Sequence, residues 1–438
     1  MSESETVVIG GGITGLATAY RLVRAGIPVT VLESSDQLGG LGTFLPYGDC
    51  WVERFYHCVM PTDAHLLALL GELGLRDEVR WRGTSMGMVV DHAHFPFNSA
   101  IDLLRFTALT PAQRIRFGLV SVSLRHLGRG RDLDRTRTGD WLRRLYGEEI
   151  WEKLLVPMFG SKFGSGFADV PALYLWQRLG RERNVATRGY PAGGYKSIVD
   201  GLRSAIESGG GHVRTSTPVR RLRVLGNALH LTVPGGAGLT YDRVVSTLPL
   251  PLLRELAEPE LARRLPKTRL PYRGVVNALF FLRRPLAGHY WTPVVRSGTE
   301  FDGVVEMSAL TGTRCGRHLA YAMRYTDQGA ALHAEDEAAV AERWTGQLLR
   351  LYAGLGLQRE DIDHVEVCKA PFVEPVYPLG YLEQRPPVEV PGTGLLLATT
   401  AQVYPAVTSW NSSVGLANDV AARVIGDRRA AFRGAPSA

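Results

Sequence analysis

Apolar and polar positions alternate along this chain in two rhythms. At the amino terminus ETVVIG is a short run of β-branched residues, the pattern of a buried strand. ITGLATAYRLVRAG then spaces its apolar residues along one helical face and closes at Gly26, and IPVTVLE returns as a second strand. The order predicts a β-α-β unit with parallel strands. Further on, TDAHLLALLGELGL predicts a helix and SMGMVVDHAHFPF a pair of strands. Helices are predicted within SAIDLLRFTALTPAQRIRFGLVSVSLRHLG and TGDWLRRLYGEEIWEKLLVPMFGSKFG. GVVNALFFL, HYWTPVV and HLAYAMRYT read as strands, and EDEAAVAERWTGQLLRLYAG as a helix. PGGAG at 234–238 lies between two strand-like runs and reads as a hairpin turn, and Gly209-Gly210-Gly211 as a helix-to-strand turn; neither supplies a second nucleotide loop. There is no internal repeat, and only the end, about 428–438, reads as a loose tail.

Composition narrows the class. At 438 residues the chain is too long for one ordinary core, and 45% hydrophobic with 21% charged residues is a globular balance. The net charge of +7 rests on arginines rather than on basic blocks, so no nucleic-acid partner is expected. Four cysteines without a C-x-x-C pair argue against a disulfide framework and a zinc site, and suit a reducing compartment. The polar, acidic start is unlike a signal peptide, and no apolar run has the length of a bilayer span; a cytoplasmic location is expected.

The chemistry begins with Gly10, Gly12 and Gly15, set between the first strand and its helix. In a β-α-β unit the first glycine permits the tight turn and the second lets a pyrophosphate approach the backbone. The third allows close packing of helix on strand, and the helix start presents unpaired N–H groups and positive dipole. Glu33, at the end of the second strand, is positioned to accept hydrogen bonds from a ribose. Strand, glycines, helix, strand and acid occur in the order and spacing that dinucleotide binding requires.

Gly39-Gly40, six residues after Glu33, resembles the extended E-x-x-x-x-x-G-G signature of FAD proteins of the amine oxidase, phytoene desaturase and protoporphyrinogen oxidase superfamily. Many members continue G-G-R, whereas Leu41 stands here. GYPAGGYKSIVDGLRSAIESGGGHVRTSTPVRRL resembles the second FAD segment, a Gly-Gly turn, a helix and a short strand ending at Val219, near which the backbone meets adenine. YDRVVSTLPLPLL resembles the strand returning below the cofactor, with Thr247 and Pro249 at its end. GLLLATTAQVYPAVTSWNSSVGLANDVAARVI resembles the last segment, whose helix start, around Asn411 and Val414, presents N–H groups to a reduced flavin. The resemblance implies an α/β fold: a Rossmann-like FAD-binding domain built from discontinuous segments (1–58, 190–250 and 391–427), a mixed-sheet substrate domain (59–189 and 251–390) and a helical subdomain over about 100–185.

VERFYHCVMPTDAHLLALLGELGL, PMFGSKFG and YLWQRLGRER together resemble a bacterial protoporphyrinogen-oxidase-like branch, itself similar to UDP-galactopyranose mutases. That similarity makes Phe55-Tyr56-His57 an aromatic-His element and Gly160-Ser161-Lys162-Phe163 a lysine-bearing loop. His57 is the candidate proton acceptor near the flavin, set against a plain packing role. Lys162 is a candidate for holding water against the flavin, as lysines do in amine oxidases, or else a surface turn. Arg178 and Arg181, with Arg183, recur on one helix as candidate anion contacts or as a solvated basic face. Tyr404 and Trp410 are candidates for the wall over the isoalloxazine. Where the branch has an acid and an arginine after Tyr-Pro, this chain reads AVTSWN, and where it has E-H-T-N it reads Glu306-Met307-Ser308-Ala309. These departures predict that Glu306 reaches the substrate's polar edge and that the branch's usual substrate does not transfer.

The stretch 101–145 gathers arginines beside Leu, Ile and Phe, compatible with a basic amphipathic helix at a membrane surface, as in membrane-associated relatives, although Asp132, Asp134 and Asp140 interrupt the charge. Three functions compete. The first is an FAD-dependent oxidoreductase that takes a hydride from a small-molecule substrate and passes electrons to dioxygen or another acceptor. The second is a non-redox flavoenzyme of the mutase kind acting on a nucleotide sugar. The third is a binding protein like the Rab GDP-dissociation inhibitors, against which the intact glycine fingerprint speaks.

Overall fold

The computed structural model describes residues 5–181, 186–235 and 238–433. Its first sheet has six strands in the order Glu389–Val390, Leu395–Leu397, Arg243–Ser246, Thr6–Ile9, Val29–Leu32 and His212–Arg214. All neighbours run parallel except the first two. Side chains of a strand alternate between faces, and here both faces are covered, which is why these strands read as continuous apolar runs. Val8, Val29, Val31 and Val245 join Leu16 and Ala17 of the opening helix (Ile13–Arg24), Ile198 of the helix Gly194–Ser208 and Val414 of the closing helix (Trp410–Arg433). Val7, Ile9, Leu32 and Val244 point the other way, into a cluster with Leu222, Leu229 and Leu231 of an antiparallel three-stranded sheet (Arg221–Leu225, Ala228–Thr232, Gly238–Tyr241).

The second sheet has seven strands, ordered Ile362–Pro375, Tyr272–Leu282, His318–Asp327, Gly303–Glu306, Trp291–Val295, Gly87–Val90 and Ala93–Pro96. It is antiparallel apart from one parallel junction between Trp291–Val295 and Gly87–Val90. Val276, Ala278, Phe280 and Val304 face Trp344 and Leu348 of the helix Glu337–Tyr352, while Val275, Leu279, Phe281 and Val305 face the large core shared with the first sheet. A helical layer of Ala100–Arg105, Pro111–Leu127, Thr138–Tyr146, Val156–Phe163 and Ala172–Arg181 completes the structure; Ser99 and Thr110 open its first two helices with capping boxes.

Several expectations are corrected. The strand expected to end at Val219 stops at Arg214. The GSKFG loop lies largely within a helix that ends at Phe163. The closing helix continues to Arg433, beyond residue 428 where a loose tail is expected. Cys50 and Cys315, 265 residues apart in sequence, are joined as a disulfide with Cα atoms 6.0 Å apart, whereas Cys58 and Cys368 are not disulfide-bonded. The hairpin around 234–238 is flanked by paired strands, and Gly236 and Ala237 lie outside the described residues.

The strand phase also corrects Glu306. Val305 faces the inner core, so Glu306 shares the outer face with Val304. There its carboxylate is buried and accepts N–H bonds from Leu286 (2.9 Å), Ala287 (3.0 Å) and Gly288 (2.7 Å). It holds a loop rather than a substrate. Glu306→Ala strands these backbone donors, and chemical unfolding should show a loss of about 3 kcal/mol, with turnover per FAD-loaded molecule unchanged. Slowed turnover with wild-type stability would overturn this assignment.

Candidate functional site

The glycines form a cradle at the carboxyl end of the first strand. Gly10 has φ +107°, and a Cβ there would lie 2.3 Å from Thr247 Oγ1. Thr247 donates through both Oγ1 (2.9 Å) and N (3.0 Å) to the Ile9 carbonyl, which fixes this packing. A Cβ on Gly15 would fall 1.9 Å from the Gly10 carbonyl oxygen, so the helix can approach the strand only at a glycine. Gly39 N–H donates to the Gly11 carbonyl (2.9 Å), and Gly12 and Gly39 form a parallel bridge, so the second glycine pair lies along the first. A Cβ on Gly40 would lie 3.3 Å from Gly12 Cα.

Glu33 ties the two strands of the unit together. Its Oε2 accepts from Gly11 N–H (2.7 Å), and its Oε1 accepts from Ser35 N–H (2.8 Å) and Ser34 Oγ (3.0 Å). A carboxylate offers about four acceptor sites, which leaves one for a ribose hydroxyl. Thr217 and Ser216 donate backbone N–H bonds to the Glu33 and Ser35 carbonyls, which draws the segment leading to buried Val219 alongside.

This geometry fits a dinucleotide. Gly12 caps the opening helix and has no side chain to bond the N–H groups of its first turn, and among the described residues no other side chain bonds them. A Cβ on Gly12 would meet no protein atom closer than 3.9 Å, so the protein's own packing does not require glycine there; a phosphate against the backbone would.

An aromatic wall stands next to the cradle. Trp410, which opens the closing helix, presses its ring on Gly42, where a Cβ would lie 2.3 Å from Cζ2. Its ring meets Tyr195 edge-on (4.6 Å between centroids) and His57 (5.7 Å), and His57 also meets Tyr195 (4.9 Å). His57 Nδ1 is 2.9 Å from the Phe55 carbonyl oxygen, which can only accept, so Nδ1 carries the proton and Nε2 the lone pair. Burial holds the imidazole below its ordinary 6.5, against the raising influence of Glu53 and of that hydrogen bond.

Two of the residues joining this wall are missed by sequence reasoning. Buried Glu53 accepts the Tyr195 N–H (2.8 Å) at the start of the helix Gly194–Ser208, which complements the helix dipole. A Cβ on Gly194, at φ +72°, would lie 2.6 Å from its Oε1. Their only signal in the sequence is the Gly193-Gly194 turn. A third missed residue is Asn277, on the inner face of its strand between Val275 and Leu279. Its Nδ2 donates to the Arg54 carbonyl (2.8 Å), while Oδ1 is buried without a partner among the described residues.

The remaining candidates fall elsewhere. Lys162 pairs with buried Glu374 (3.0 Å), which also accepts from Tyr174 OH; the ammonium is committed to an internal ion pair. Tyr404 is fully buried among Tyr377, Tyr381 and Tyr174, and its OH donates to Asp134. That packing makes it a core residue beneath the last segment, correcting the expected flavin wall. Asn411 Oδ1 accepts from His65 (2.9 Å) and Leu66 (3.1 Å) N–H and so caps the helix Ala64–Glu72. Val414 lies past the open turn, because Ser413 N–H already bonds the Ser409 carbonyl (3.0 Å), and its side chain is core. Arg178 is half-buried on the helix Ala172–Arg181, and its charge opposes the rise that burial and Tyr325 impose on the phenol of Tyr56, the neighbour of His57. Arg181 closes that helix with a side chain outside the described residues, as Arg183 lies outside them altogether.

Comparison with known proteins agrees with the cradle. Residues 13–409 match the family described as flavin containing amine oxidoreductase. The chain is 31% identical over 186 residues to a coproporphyrinogen III oxidase of Propionibacterium freudenreichii subsp. freudenreichii, covering 39% of this chain and 33% of that one. It is 27% identical over 440 residues to a carotenoid phi-ring synthase of Streptomyces griseus, covering 89% and 81%. Against the coproporphyrinogen oxidase and a putrescine oxidase of Kocuria rosea, the match spans only a third to a half of the relative's length. A crystal structure of reduced UDP-galactopyranose mutase superposes with a TM-score of 0.74 at 16% identity, covering 97% of this chain and 96% of that one, a likeness of fold. With the cradle on one side and this match over most of the chain on the other, the protein belongs to the flavin-containing amine oxidoreductase family, and its cofactor is FAD.

Proposed function

We propose that the chain is an FAD-dependent oxidoreductase that oxidises a small molecule at a C–H bond next to an N–H or O–H group. One observation carries this reading: a neutral imidazole, His57, set in an aromatic wall beside the cradle, with its Nε2 lone pair left as an acceptor. Bound FAD supplies a two-electron acceptor for a hydride. As the C–H bond breaks, His57 Nε2 takes the proton of the neighbouring heteroatom, and the product leaves two electrons and two protons poorer. Trp410 and Tyr195 hold the imidazole in position, and Glu53 holds Tyr195. Asn277 Oδ1 is an acceptor for a donor group on the inner face of the sheet, and Arg178 near Tyr56 suits an anionic end of a substrate. Dioxygen or another acceptor then takes the electrons.

His57 must be neutral to act, and its proton affinity lies below the ordinary value. The acid limb of kcat/KM should therefore fall below pH 6.5, with activity present above it and lost as pH drops. His57→Gln should remove that limb and lower kcat by about a hundredfold or more, with FAD content retained. An unchanged profile in His57→Gln would remove histidine from the chemistry.

Oxidation and isomerisation differ in what they yield. Oxidised holoenzyme mixed anaerobically with a true substrate should lose its flavin absorption, and mass spectrometry should find product two hydrogens lighter. Turnover only after dithionite reduction, with product and substrate isomeric, would establish the mutase reading instead.

A further inference from the structure

A cavity of about 400 Å3 lies apart from the residues of the cradle and the aromatic wall. It sits where the segment 131–137 meets the loop after the strand Ile362–Pro375, and Leu379 of that loop lines it. The segment is fixed from both sides. Leu173 N–H donates to the Leu133 carbonyl (3.0 Å) and Ala172 N–H to the Thr136 carbonyl (2.9 Å), while Gly380 N–H donates to the Asp134 carbonyl (3.0 Å). Leu133 and Asp134 are buried by these ties, and Arg131, Arg135 and Arg137 are left exposed. Those three arginines line the cavity together with Arg144 of the helix Thr138–Tyr146.

Four guanidinium groups in one lining repel one another, and the protein offsets this only in part. Arg135 pairs with Glu383 (2.6 Å) and Arg137 with Asp169 (3.5 Å), but all four side chains are more than half exposed, where such pairs hold weakly against water. Arg131 and Arg144 have no acidic partner among the described residues, and Asp140 is the one carboxylate in the lining. The helix Thr138–Tyr146 also starts here, with Arg137 as its N-cap and no side-chain cap bond, so its dipole adds positive potential. Buried Trp141 belongs to the same lining, and its Nε1–H has no acceptor among the described residues. Guanidinium forks around one cavity suit phosphate oxygens, and Leu133 and Leu379 give the cavity apolar walls as well.

We propose that this cavity binds the phosphate group of a small soluble phosphomonoester. The phosphate oxygens accept from Arg131 and Arg144, and from Arg135 when it exchanges Glu383 for the ligand. The organic part of the ester lies against Leu133 and Leu379. None of the residues assigned to flavin chemistry takes part, so the site stands whether or not the substrate reading does.

The test is titration calorimetry of the FAD-loaded protein with inorganic phosphate and with phenyl phosphate. Filled cradles keep the pyrophosphate site out of the measurement, and the flavin spectrum should not change. Each probe should saturate one site per chain, phenyl phosphate more tightly. Arg131→Gln with Arg144→Gln should weaken both by about tenfold or more. Arg143→Gln should change neither, because that arginine lies on the same helix but outside the lining and pairs with Glu148. Glu383→Gln releases Arg135 and should tighten binding severalfold. The proposal is overturned if no saturable site is found, if inorganic phosphate binds more tightly, or if Arg143→Gln costs as much as the double variant. It is equally overturned if Glu383→Gln does not improve binding, or if the protein takes up anionic vesicles while ignoring both probes.

Discussion

The structure depends on how closely two backbones approach each other. Gly10 and Gly15 bring the opening helix against the first strand, and Gly39 and Gly40 run alongside Gly12. Side chains at Gly10 or Gly15 would collide with Thr247 or with the Gly10 carbonyl. With the backbones this near, Glu33 can bond Gly11 N–H and hold the turn in place. The first sheet then has its parallel strands ending at the cradle, as open α/β sheets place their ligands.

A second constraint is the phase of the strands. In the seven-stranded sheet the inner face carries Val275, Asn277, Leu279 and Val305, and the outer face carries Val276, Val304 and Glu306. One residue of phase thus separates a side chain directed into the core shared with the first sheet from one that stitches a loop. Glu53 works similarly across the chain, joining the helix that bears Tyr195 to the segment that bears His57. The aromatic wall is the product of these distant ties.

The glycine fingerprint was legible in the sequence because its constraint is local: strand, turn, helix and acid lie within forty residues, and each residue type has a backbone reason. The opening strands and most helices were legible for the same reason. Glu306 was misread because alternation shows that two faces exist but not which one is inside. Tyr404 was misread because an aromatic beside an FAD segment looks alike whether it lines a cavity or fills a core. The strand Ile362–Pro375 escaped notice because it is an edge strand broken by charges and prolines. Glu53 and Tyr195 lie 142 residues apart, and Cys50 and Cys315 265 apart, so neither pairing leaves a local pattern.

The decisive measurement is FAD bound per chain in Gly12→Val compared with the wild type. A Cβ at Gly12 would meet only Gly40 Cα, at 3.9 Å, so the variant should fold with unchanged circular dichroism, and only a pyrophosphate against the backbone should be displaced. About one releasable FAD per wild-type chain is expected, and almost none in a folded variant. A folded Gly12→Val protein that retains its full complement of FAD would contradict it.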